Sequence, residues 1–312
     1  MSQGFQRLFT PTRQILLLHK LTQIARPCSV RNAFARKHFC SYLGPDGRWS
    51  DELEDEWSRL ENDALPHARR LAAGARDFEA RNEVKILAAI HYVRSESFVQ
   101  MHERIVREVI ADKRASLSRN PEAIAAFEAD HGRLPQPGEL EERFDVMAEA
   151  LNQGRRFLLR QMVEGYNKTL DILGRLYVQL VWPRGERSEF VFGDQALVHY
   201  DAKGRVSALG GVALGDADRI FLPLGPRLLA LFTSRPNSDT GISARTVQEF
   251  NDKTWRAAVR FIGASPNTDL RRSLQRWGIS IETLEVGPYM PGVTAPALRL
   301  GVAETEELQI GL

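Results

Sequence analysis

Two changes of hydrophobic period constrain what this chain can fold into more than any single motif does. From Ser50 to about Pro183, apolar residues recur every three or four positions. On either side they fall into short runs suited to strands. Within the middle stretch, Ser50 is a suitable N-cap, and the acids at 51, 52 and 54 fall where a helix dipole favours them. Leu53, Trp57, Leu60, Ala64 and Ala68 form one stripe, with Pro66 set to kink or divide that helix. A second helix is expected over 81–112. A third starts at Pro121 and stops near His131-Gly132. A long fourth covers 139–181, weakened at Gly154, Gly165 and Gly174 and ended by Trp182-Pro183.

The flanks read differently. Residues 1–10 suggest a short helical or turn segment. Arg13–His19 is a strand, Lys20–Arg26 its return, and His38–Leu43 a further strand before the turn Gly44-Pro45-Asp46-Gly47. Beyond Pro183, Glu189–Tyr200, Arg219–Leu224 and Leu228–Thr233 look like strands. The prolines bracketing Leu224 suggest an edge or a turn there. Arg245–Ala264 reads as a helix and Asn267–Trp277 as a shorter one. Irregular or hairpin structure follows Gly278, then a frayed acidic end. The fold class is α+β: a mainly helical middle, with small β-hairpin or sheet elements near the N-terminus and in the C-terminal third. The regions 1–48, 49–183 and 184–312 are expected to form one integrated domain.

Composition excludes several classes. Lys and Arg total 42 against 40 for Asp and Glu, so no global charge selects nucleic acid or membrane. Two cysteines exclude a disulfide scaffold; Cys28 and Cys40 are expected as free thiols. The longest early apolar run, Ile15–Leu18, is too short for a signal core or a span, and the protein is expected in the cytoplasm without membrane attachment. Charge is nonetheless uneven. Residues 1–48 carry eight basic residues and one acid, and residues 49–63 carry seven acids and one base. Either the two segments pack together or face solvent, or the basic one forms a patch for a phosphate-bearing partner such as nucleic acid.

No phosphate loop, dinucleotide fingerprint, zinc-protease helix or nucleophile elbow is present. The glycine-rich stretch 209–215 lacks a following helix and reads as a loop. Two clusters remain. His91, Arg94, Ser95 and His102 share one face of the expected second helix, among apolar neighbours. A buried arginine there requires a carboxylate or an anionic ligand. Asp194, after Phe192-Gly193, projects from a bend at a strand end. It could hold a divalent metal, act as a base, or cap a turn. Asn251, mid-helix, matters if its amide reaches Asp194 or a loop carbonyl. The stretch 131–140 has turn chemistry found before many helices, DNA-binding ones included.

In order, several stretches resemble the family known as domain of unknown function 4238. They are Ser29-Val30-Arg31-Asn32-Ala33 through His38-Phe39, Leu53-Glu54-Asp55-Glu56-Trp57 to Pro66, and His91-Tyr92-Val93-Arg94-Ser95. Phe190–Asp194, Leu222–Pro226, and Asn251 with Ala257 and Arg260-Phe261-Ile262 complete the series. Members have a proline where this chain has Ala196, and Pro-Leu-Ser-Pro where it has Pro223-Leu224-Gly225-Pro226. Met1–Phe9 resembles the family's opening segment entered after its leading His, so a missing start is the expectation, and the chain would be inactive only if that His is functional. The resemblance supplies no activity.

Two functions follow. In the first, the chain is a nuclease-like or other phosphate-substrate enzyme of stress or host defence. Asp194 and His91 would be catalytic, Asp194 would hold the metal, and Arg94, Ser95, Asn251 and Arg31 would bind substrate. In the second, it is a non-catalytic binding or regulatory module built on a buried Arg–carboxylate pair, Arg94 with Asp194. Helix 139–181 would suit a homo-oligomer under either.

Overall fold

The computed structural model describes residues 1–34, 39–43, 48–153, 155–279, 281–283 and 298–300. The predicted turn at 44–47, Arg36, Lys37, His38 and the acidic end at 301–312 lie outside the described residues. The chain opens with α1 (Gln3–Gln6), a hairpin of β1 (Gln14–His19) and β2 (Ile24–Ser29), and the small pair β3 (Tyr42–Leu43) and β4 (Trp49–Ser50). Six helices follow: α2 (Glu52–Ala72), α3 (Phe78–Val93), α4 (Glu96–Leu117), α5 (Pro121–His131), α6 (Glu139–Gln153) and α7 (Arg155–Gly174). Next come β5 (Tyr177–Pro183), β6 (Phe192–Gly193), β7 (Val198–Tyr200), β8 (Arg219–Gly225), β9 (Leu228–Thr233) and β10 (Thr240–Ile242). The described chain closes with α8 (Ala244–Ala257), β11 (Phe261–Ala264), α9 (Arg271–Arg276), β12 (Ile281–Thr283) and β13 (Leu298–Leu300). The fold is α+β, helical in the middle, with sheets at both ends.

One sheet has the order β12-β13-β2-β1-β11-β6, so the N-terminal hairpin and the C-terminal strands share it. β1 pairs antiparallel with β2 on one side and β11 on the other. The second sheet runs β10-β5-β9-β8-β7. All six residues of β9 are buried, which a strand achieves only when both faces are covered. α3 packs between α2 and α7. The main core joins these helices to the inner faces of both sheets through Phe5, Trp57, Leu87, Met162, Leu180 and Phe192.

Several boundaries differ from the sequence expectation. The helix expected over 81–112 is two helices, because Ser95 interrupts it: its Oγ accepts from Phe98 N–H at 3.1 Å to start α4 and donates to Tyr92 O at 2.7 Å. The long helix ends at Gly174, and Tyr177–Pro183 becomes a strand paired with β9 and β10. α8 stops at Ala257, and residues 261–264 join β1 as a strand. The return strand begins at Ile24, not Lys20, and of the described residues of the predicted 38–43 strand, Tyr42–Leu43 pair. Ser50 belongs to β4, so Asp51 is the N-cap residue of α2, without a side-chain capping bond. Pro66 is accommodated in one uninterrupted helix. β8 is not an edge strand. β7 pairs only with Arg219–Phe221, so Pro223 lies where β8 has outrun that neighbour.

Gly263 is a required close approach. A Cβ there would overlap the Phe192 ring, which also contacts the rings of Phe9 at 4.3 Å and Phe34 at 5.4 Å. Gly263→Ala is therefore expected to cost about 1–3 kcal/mol by overpacking, read as a lower urea midpoint with an unchanged m-value.

Candidate functional site

The most concentrated buried polar group lies between α1, α2 and α3. Its anchor is Glu61, on the apolar face of α2 four residues after Trp57 and three before Ala64, and only 3% exposed. α3 brings His91 opposite it, with Nε2 3.3 Å from Glu61 Oε1, at ion-pair range but without the alignment of a hydrogen bond. Ser2 Oγ donates to the same oxygen. Arg94, just past the end of α3, spans two carboxylates one heptad apart on α2. Its Nη2 meets Glu54 Oε1 at 2.5 Å and its Nη1 meets Glu61 Oε2 at 3.4 Å. Arg94 Nε is buried and has no hydrogen-bond partner among the described residues. The Phe5 ring closes over His91, with centroids 4.2 Å apart.

Electrostatics follow from this packing. Burial alone would push the Glu61 carboxyl up. Contact with His91, the Ser2 hydrogen bond and the Arg94 charge outweigh it and bring the group to about 2. Burial pushes His91 below its ordinary value, against the pull of Glu61. Burial also pushes the Cys40 thiol, beside Arg94 and Glu54, up to about 12, so this free thiol is held protonated and unreactive. A carboxylate depressed in the fold stabilises it fully above the unfolded value and loses that contribution as pH falls through the folded value. A histidine depressed in the fold is protonated first in the unfolded chain, which also weakens the fold in acid. Stability is thus expected to decline below about pH 6.5, the ordinary histidine value, and further between about 4.5 and 2 as Glu61 titrates. Urea midpoints across pH 2–8 check this. Glu61→Gln should shrink the lower limb, to which Glu139, Asp201 and Asp239 also contribute, and an unchanged lower limb in that variant would assign it elsewhere.

The other predicted residues go elsewhere. Asp194 follows β6 at a bend, as expected, but faces neither His91 nor Arg94. Its Oδ1 accepts from Val259 N–H at 2.8 Å, and its Oδ2 accepts from Arg260 N–H at 2.6 Å and Phe261 N–H at 3.1 Å. Burial pushes its carboxyl up against these three donors. Lys20 lies close by and donates to Trp255 O at 2.7 Å and to Ala258 O. Asn251 reaches a loop carbonyl rather than Asp194. Its Nδ2 donates to Glu189 O at 2.9 Å and its Oδ1 accepts from Val191 N–H at 3.1 Å. Asn251 and Asp194 therefore stitch residues 189–194 to 251–261 from opposite directions. Ser95 is the α4 cap, and Arg31 is exposed in the turn after β2.

The Arg94–Asp194 pair is thus replaced by Arg94 with Glu54 and Glu61, because α2 offers both carboxylates where α3 ends. The shared face of His91, Arg94, Ser95 and His102 is lost with the helix break at Ser95. Among the described residues, the ion pairs of the acids of 49–63 run from Glu56 and Asp63 to Arg59 and from Glu54 and Glu61 to Arg94, and the two segments touch where Ser2 reaches Glu61 and Tyr42 reaches Glu52. Among the described residues, no group of three or more His, Cys, Asp or Glu is placed to hold a metal, and no helix is long and apolar enough to cross a membrane. Glu54, Glu61 and Cys40 are site members that the sequence reading did not single out.

A model of the family described as "Protein of unknown function (DUF4238)" matches residues 7–268. No curated protein and no solved structure matches the chain.

Proposed function

The chain belongs to the family of proteins of unknown function DUF4238, and from that premise we propose that it is a non-catalytic binding or regulatory module. Arg94, Glu54, Glu61 and His91 form its structural core. The observation that carries this reading is that both candidate reactive groups are already occupied. Three backbone amides hold the Asp194 carboxylate, and two carboxylates hold the Arg94 guanidinium. A phosphate approaching Arg94 would have to displace a buried ion pair, which is unfavourable unless the ligand desolvates equally well.

One observation favours the competing reading, a nuclease-like or other phosphate-substrate enzyme of a defence type. His91 Nε2 and Arg94 Nε are buried in the same cluster and have no hydrogen-bond partner among the described residues, and polar groups left so are often functional. The deciding experiment offers the folded protein labelled single- and double-stranded RNA and DNA, with divalent metal and with chelator. The module reading expects no cleavage above a buffer control. Cleavage removed by chelator and by His91→Gln in a folded variant would establish the enzyme instead.

A further inference from the structure

A separate cleft opens between the first turns of α3, the end of α7 with the start of β5, and the loop 236–239. Its volume is about 930 Å³, within the range of small-ligand sites. Two aromatic side chains stand at it with unusual exposure: Phe78, the first residue of α3, at 78%, and Tyr177, the first of β5, at 52%. Among the described residues, neither ring packs on another ring. Three cations line the same space, against Asp239 as the one acid of the lining among the described residues.

That acid is fully committed. Arg81 grips it with two bonds, Nη1 to Oδ1 at 2.9 Å and Nη2 to Oδ2 at 2.6 Å, and Arg76 approaches at 3.3 Å. Asp239 Oδ1 also accepts from Leu180 N–H at 2.9 Å. These bonds, with Arg81 donating to Val178 O at 2.6 Å, fasten loop 236–239 and α3 to β5, so the walls are preformed. The other two cations, Lys85 and Arg175, have no ion-pair partner among the described residues. Lys85 is half-buried and held below its ordinary value by that burial alone, so it lacks the counter-charge its position calls for. Asn82, Asn237 and Ser238 add groups that can read polar edges.

Flat apolar faces beside uncompensated cations match one ligand chemistry: a planar heteroaromatic ring carrying a phosphate. We propose that this cleft binds a nucleoside phosphate, with the base against Phe78 or Tyr177 and the phosphate on Lys85 and Arg175. This rests on the reading of the chain as a binding module and gives that module its ligand. The nucleotide could be free, or it could be one unit of a single strand, since both present the same groups.

The test is a calorimetric titration of the full chain with AMP, UMP and a ten-nucleotide single-stranded RNA. Phe78→Ala and Arg175→Glu are titrated alongside; both side chains are exposed, and thermal unfolding verifies that the variants fold. Binding of at least one probe is expected to weaken about tenfold or more in each variant and to fall with added salt. Mononucleotide binding identifies a free ligand; binding of the RNA alone identifies a strand. Absence of binding by every probe, or binding that both variants leave intact, overturns the cleft. The module reading fails separately, through metal-dependent cleavage.

Discussion

Arg94→Ala is expected to lower the stability of this protein by about 3–5 kcal/mol, the range for removing one partner of a buried ion pair. The guanidinium is 9% exposed and the Glu61 carboxylate 4%. Without Arg94, Glu61 keeps its burial and loses the guanidinium that pairs with it, the one fixed positive charge at ion-pair distance from it among the described residues, since burial holds His91 toward the neutral form. Arg94→Lys should recover little, because a single ammonium cannot span Glu54 and Glu61 as the two Nη atoms do. Urea unfolding at pH 7 reads these losses as a reduced midpoint with m unchanged. A double-mutant cycle adds a sharper test. Arg94→Ala with Glu61→Gln should couple, because the two side chains touch. Arg94→Ala with Asp194→Ala should be additive, because these residues share no hydrogen-bond or ion-pair partner. Coupling in the second cycle and additivity in the first would reverse the assignment of the buried pair.

The sequence carried the architecture further than the site. The strand Leu228–Thr233 and the helix Pro121–His131 fall where the reading put them, since each is bounded by its own turn or capping chemistry. Ser95 breaks its helix by its own local cap, but Gly174 and Ala257 share one cause, since each ends a helix inside a run whose apolar spacing continues. What decides there is a long-range partner: β9 for Tyr177–Pro183 and β1 for Phe261–Ala264. Periodicity over a local window cannot register a partner that distant in the chain. The site shows the same limit with one exception. Asn251 reaching 189–191, and Asp194 reaching 259–261, depend on tertiary placement. Glu61 was legible. A carboxylate between Trp57 and Ala64 in a helical stripe must face the core, where it needs a cation, and Glu54 lies one heptad before it on the same face. Three stretches of the family resemblance, those around Asp194, Asn251 and Arg260–Ile262, converge on one clamp.

That clamp supports the second large effect. Asp194→Ala is expected to cost about 3 kcal/mol, because three amide donors lose their acceptor at once. A buried donor left unsatisfied costs about 1–3 kcal/mol, and water will reach the more exposed of these three. The informative variant is Asp194→Asn. An asparagine keeps the shape but turns one oxygen into an N–H donor, aimed at backbone N–H groups. Either way it is oriented, at least one amide then faces a donor, so Asn should be destabilised by about 2 kcal/mol, nearly as much as Ala. Glu189–Asp194 would detach from the end of α8 first, before β1 and β11 separate. Hydrogen exchange should register this as faster exchange at Val259, Arg260 and Phe261, the three amides that Asp194 now protects. A metal ligand or general base behaves differently: its Asn variant keeps the fold and loses only activity. Asp194→Asn unfolding at the wild-type urea midpoint, with those three amides still protected, would remove the clamp and return Asp194 to the list of reacting groups.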